Sequence, residues 1–159
     1  MTPNIATCGT CTLCCKVMAV PELSKPRDQW CGKCDKRGGG CTVYETRPQS
    51  CREFECLWLQ SQSKEGMRRW PMELRPDRSH VVLATTHGDE PGVVAHVDPG
   101  YPDAWRAGAM GSALAGFHRS GKLVVIIACG DKRKAFFPDG KRVAFIDREN
   151  VDVTTIVRP

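Results

Sequence analysis

Nine of the ten cysteines in this 159-residue chain lie before residue 57, and no other feature of the sequence limits its fold so strongly. They are Cys8, Cys11, Cys14, Cys15, Cys31, Cys34, Cys41, Cys51 and Cys56, with Cys129 alone downstream. Thiolates are soft ligands that suit zinc and iron–sulfur clusters. Two cysteines separated by two residues can bind one metal from a tight turn, because that loop aims both sulfurs at a common point. Cys8/Cys11, Cys11/Cys14 and Cys31/Cys34 have this spacing. The expectation is that a metal, rather than a large apolar core, organises a small cysteine-rich module over residues 1–60.

The adjacent pair Cys14-Cys15 bears on how many metals are bound. Neighbouring side chains point in different directions on any regular backbone. If Cys14 shares a metal with Cys11, Cys15 more easily serves a second ion or a bridging position. Pro48 suits the opening of a helix through Gln60, with Cys51, Phe54 and Trp58 on one face. On it Cys56 would lie about 140° from Cys51, so both reach one ion only if the helix ends or distorts between them. Two metals or a multinuclear cluster are therefore favoured over one tetrahedral site.

A disulfide framework is the competing use of so many cysteines. Met1 to Thr7 has neither a basic start nor an apolar run, so no signal peptide is read there and a cytoplasmic location is expected. An unstapled second half also speaks against disulfides. Zinc is the leading metal, since closed four-sulfur sites are its usual structural arrangement. Iron–sulfur is the alternative: Cys8-x-x-Cys11-x-x-Cys14 begins like a bacterial ferredoxin ligand set. Cys15 follows at once, however, and no Cys-Pro occurs anywhere.

The net charge of +5 needs the thiols in its accounting. Thiolates around two divalent ions would turn the basic excess of residues 1–60 into a small negative balance. Lys16, Lys33, Lys36, Arg37, Arg47 and Arg52, near cysteines in sequence, suit neutralisation of such a cluster. The surplus is thus weak evidence for nucleic acid.

After a polar stretch, Gln60 to Arg69, short apolar segments alternate with turn residues. Strands are predicted at Ser79–Thr85 and Gly92–Val97, joined by the turn Gly88-Asp89-Glu90-Pro91-Gly92. Pro102 to Ser120 reads as a helix closed by Gly121. Leu123–Ala128 reads as a strand buried on both faces. Lys134–Phe137 and Arg142–Ile146 flank a Pro138-Asp139-Gly140 turn, and Val151–Val157 adds a last strand. Residues 70–159 are therefore expected to form an α+β unit, a mainly antiparallel sheet with one packed helix, either separate or sharing a core with the first module. No apolar run approaches the roughly 20 residues of a membrane-spanning helix.

The string Cys8-x-x-Cys11-x-x-Cys14-Cys15, Cys31, then Gly40-Cys41-x-x-Tyr44-x-x-Arg47-Pro48-x-x-Cys51-Arg52-x-Phe54-x-Cys56-Leu57-Trp58 resembles the bacterial YkgJ-type cysteine-cluster family. That family is defined by a zinc- or iron-chelating CxxCxxCC block, and the match covers roughly residues 8–58. The resemblance implies metal binding by Cys8, Cys11, Cys14, Cys15, Cys31, Cys41, Cys51 and Cys56. Cys34 is additional to the pattern. The resemblance brings no biochemical activity with it.

The other motif residues have physical roles. Gly40 permits a turn closed to other residues. Arg47 and Arg52 can compensate thiolate charge, while Tyr44, Phe54 and Trp58 can shield the site or serve as plain core. The remaining candidates carry less. His80, His87, His96 and His118 lack metal-ligand spacing, and Cys129 reads as a small hydrophobe. Arg68-Arg69 and Lys132-Arg133-Lys134 read as solvated surface. The leading functional expectation is a structural zinc protein whose sheet meets an unidentified protein or small-molecule partner. The rivals are an iron–sulfur protein acting as a redox or catalytic accessory, and a zinc-dependent nucleic-acid or protein interaction module.

Overall fold

The computed structural model describes residues 8–86 and 91–138 in full and, for 143–147, the backbone. Short elements build the cysteine-rich half, among them helix α1 (Leu13–Val17), strands β1 (Cys34–Asp35) and β2 (Gly40–Cys41), and helices α2 (Gln49–Glu53), α3 (Leu57–Ser63) and α4 (Pro76–Ser79). The second half contains β3 (Val81–Thr85), β4 (Gly92–Val97), helix α5 (Gly108–Arg119), β5 (Val124–Cys129), β6 (Lys132–Phe136) and β7 (Val143–Asp147). Strands β3 to β7 form one sheet in sequence order. All neighbours in it are antiparallel except β4 and β5, which run parallel. A parallel joint needs a crossover, and α5 supplies it.

The expected α+β content and mainly antiparallel sheet are thus present, with the boundaries of several elements moved. The turn at 88–92 and the Pro138-Asp139-Gly140 turn fall partly, and the Val151–Val157 strand wholly, outside the described residues.

Side-chain alternation gives the sheet two different faces. Val81, Leu83, Val93, Ala95, Val97, Val125 and Ile127 meet Met110 and Leu114 of α5 and Leu57 of α3 in the main core, with Cys129 packed at its edge. Val82 points the other way and joins Leu13 and Val17 of α1, with Phe54 and Cys56 against them. Apolar burial therefore ties the cysteine-rich half to the sheet. On the same face, the Lys16 ammonium lies 2.6 Å from the Asp98 carboxylate at the end of β4.

Two predicted helices differ from expectation. The one placed over 102–120 begins only at Gly108, because Gly108 takes φ +64° and a right-handed helix cannot run through that conformation. Residues 98–106 instead form successive turns, with the Tyr101, Ala104 and Arg106 amides donating to Asp98, Tyr101 and Asp103 carbonyls. The helix expected over 48–60 breaks at Phe54, which is extended at ψ 121°. The break lets Phe54 and Cys56 face Leu13, Val17 and Val82 while Leu57 and Trp58 enter the main core. Among the described residues no helix is long and apolar enough to cross a membrane.

Candidate metal centre

Eight thiols surround one half-enclosed cavity of about 330 Å³. Cys8, Cys11, Cys14 and Cys15 line it from the first loop and α1, and Cys31, Cys41, Cys51 and Cys56 line it from the later segments. All ten cysteines are free thiols. The eight around the cavity are the eight implied by the family resemblance, and Cys34 is not in its wall. Met18, Val20, Leu23, Val43, Phe54 and Val82 complete an apolar lining.

Local backbone bonds explain how scattered positions converge. The Cys11 amide donates to the Cys8 carbonyl at 2.9 Å and closes the first Cys-x-x-Cys turn. The Cys34 amide does the same to Cys31 at 3.1 Å, while the Cys31 amide reaches the Cys15 carbonyl at 2.9 Å. Gly40 takes φ +75°, and a Cβ there would stand 2.5 Å from the Gly9 carbonyl oxygen. Only glycine allows β2 to lie so close to the first loop. The bend between α2 and α3 turns Cys56 inward at the start of α3, where its sulfur accepts from the Leu59 amide at 3.5 Å. Cys51 and Cys56 share the cavity because the helix ends between them. Cys14 and Cys15 share it as well, since α1 runs along its wall, so their adjacency does not assign them to separate cavities.

The electrostatics are those of thiols crowded in an apolar setting. Burial raises the Cys8 and Cys11 thiols, and Cys11 is a further cause of the rise at Cys8. Burial lifts Cys56 to about 11. Cys14 is held well above its ordinary value because it donates a hydrogen bond to Cys15 and is buried. That hydrogen bond, a second from Cys34 and the charge of Lys25 bring Cys15 down to about 6. Burial and the neighbouring Cys15 anion push Cys34 up to about 11.

Among the described residues, Lys25, Arg47 and Arg75 act electrostatically on the cavity thiols. Lys25 is buried and donates to the carbonyls of Lys16 and Met18 at the end of α1 and to that of Pro26. Burial lowers its pKa, while Cys31 and Cys15 oppose that shift. Arg47 stacks on Tyr44 with its guanidinium carbon 3.7 Å from the ring centre, and its charge acts on Cys8. The Arg47 Nε–H is buried without an acceptor among the described residues. Arg75 donates to the Cys8 carbonyl at 3.3 Å and to Thr10 Oγ1 at 3.1 Å.

Sequence reasoning named Arg47 and Tyr44 but missed Lys25 and Arg75. Neither has a revealing spacing; Lys25 lies between two cysteine groups and Arg75 nineteen residues past Cys56. Arg52 is exposed at the cavity wall. Trp58 is core rather than lining, its indole N–H donating to the Pro71 carbonyl. Lys16 is engaged by Asp98, Lys36 stands over Trp30, and Lys33 lines the cavity.

The described histidines stand apart from the thiols. His80 stacks on Tyr101 with ring centres 3.6 Å apart. His96 is buried beside Arg27, whose Nη2 lies 2.7 Å from its Nδ1, and His118 Nε2 lies 3.1 Å from the Phe137 carbonyl. His87 is outside the described residues. Arg133 is engaged with the Gly130 and Lys132 carbonyls. A larger but open groove, about 470 Å³, runs past His80 and Tyr101 and contains no thiol.

Among the described residues no three Cys, His, Asp or Glu side chains are drawn together closely enough to hold an ion as they stand. The thiols ring the cavity instead of meeting at a point. Their chemistry nevertheless fits a soft cation: all eight are free thiols, burial raises Cys8, Cys11, Cys51 and Cys56, and the Arg47 Nε–H is buried without an acceptor among the described residues. Holding a metal would require these side chains to turn inward from the cavity wall. No family model, curated protein or solved structure matches the chain.

Proposed function

We propose that this chain is a metal-binding protein of the YkgJ type, in which the eight cavity cysteines hold structural zinc as two ions or one multinuclear cluster. The observation that carries this reading is the convergence of eight cysteines, spread over 49 positions from Cys8 to Cys56, on one cavity. Zinc would supply the charge that permits the thiols to ionise together, and its binding free energy would add to that of folding. Lys25, Arg47 and Arg75 would balance the remaining thiolate charge, and Tyr44 and Phe54 would limit solvent access.

An iron–sulfur cluster serving a redox or accessory role is the second reading. It is favoured by the apolar-walled cavity that the eight thiols share, which has room for inorganic sulfide. Metal analysis with an absorption spectrum, on protein purified without oxygen, separates the two. Two zinc ions per chain with no band near 400 nm supports zinc. A brown protein bleached by dithionite overturns zinc in favour of the cluster, and a chain free of both metals overturns the whole reading.

A further inference from the structure

Cys34 is the one cysteine of the N-terminal nine that is outside the cavity wall, and its position in the backbone ladder gives it a separate use. It pairs directly with Cys41 across β1 and β2. The Thr42 amide donates to the Lys33 carbonyl at 2.9 Å, one residue outside that pair. This bond makes Cys34/Cys41 a non-hydrogen-bonded pair, the kind in which opposed Cα atoms approach to about 4.5 Å and side chains are nearest. A disulfide spans Cα separations of roughly 4.4–6.8 Å. Both residues are half-buried, so a small oxidant has access.

We infer that Cys34 and Cys41 form an oxidative modification site, in which a peroxide converts the pair to a cross-strand disulfide and removes Cys41 from the metal-binding set. This rests on the proposed metal reading for its consequence, though not for its chemistry. The Cys41 thiolate attacks one peroxide oxygen; an S–O bond forms, the O–O bond breaks and hydroxide leaves. The Cys34 thiol then attacks the Cys41 sulfur; the S–S bond forms, the S–O bond breaks, and the departing oxygen takes the Cys34 proton as water. Two electrons pass from the sulfurs to the peroxide. Cys34 acts as the resolving thiol, placed by the ladder opposite the thiol that is oxidised. Eight cavity thiols then become seven.

The test treats protein purified anaerobically, with its metal in place, with hydrogen peroxide. It reads disulfides by peptide mapping and released metal with a chromogenic chelator. A Cys34–Cys41 bond formed in step with metal release is expected. In Cys34→Ser, metal release should slow on the order of ten-fold, because no resolving thiol remains opposite Cys41. A disulfide joining Cys34 to Cys15, no disulfide at all, or a Cys34→Ser protein equally sensitive to peroxide overturns the inference. The map on the unmutated chain decides the matter even if the variant folds poorly. Absence of metal before treatment would defeat the metal reading alone, since the disulfide map is independent of it.

Discussion

At the scale of single residues, the cavity sorts the cysteines into those that face it and those that do not. Cys11→Ser should lower the metal content and unfold the N-terminal half, while Cys129→Ser, at the edge of the main core, should leave metal content unchanged. Equal loss from both, measured by metal analysis of the purified variants, would redraw the ligand boundary. Gly40→Ala introduces a Cβ against the Gly9 carbonyl in a left-handed conformation, and should cost about 1–3 kcal/mol in a denaturant titration. His96 is held near 3 because burial disfavours its charged form, with Arg27 and Arg133 adding to the effect. The unfolded chain therefore binds a proton below about 6.5 that the folded chain refuses, so stability falls as pH drops from there toward 3. His96→Gln should flatten that acid limb. An unchanged limb in pH-dependent unfolding would remove His96 as its cause.

At the scale of elements, the sequence was most readable where one local signal decided the outcome. Gly92–Val97 is a strand as expected, and the β-branched run after Lys122 is buried on both faces. Helix boundaries were less readable, because both errors came from constraints beyond the local pattern. Pro102 suits a helix start, yet Gly108 blocks the path and the main core takes Trp105 from a series of turns. Pro48 also suits a start, yet Phe54 and Leu57 serve clusters on opposite faces of the sheet, and no continuous helix does both. Val82 is the element-level link between the sheet and the wall of the thiol-lined cavity. Val82→Ala should lower the thermal midpoint by a few degrees, from a loss of roughly 2 kcal/mol, and should also quicken metal loss to a chelator. Val94→Ala, on the same face but outside that cluster, should lower the midpoint without changing chelation; equal chelation rates in the two variants would uncouple α1 from the sheet.

At the scale of the whole molecule, two kinds of organisation meet at the β3–β4 side of the sheet. A conventional apolar core, which also takes α3, fills one face, while the other carries α1; none of the short helices and two-residue strands of the cysteine-rich half is long enough to be stable alone. The cysteine spacing made that division legible and the family resemblance pointed to the set of thiols, but only the folded chain shows that eight of them share one cavity. The cations Lys25 and Arg75 could not be read in advance, because their proximity depends on chain packing and not on spacing. The central claim is that these thiols supply the whole coordination sphere of the bound metal. X-ray absorption at the metal edge of the purified protein tests this most directly. The account predicts a shell of sulfur alone, at about 2.3 Å if the metal is zinc. A shell containing nitrogen or oxygen from protein side chains would contradict it.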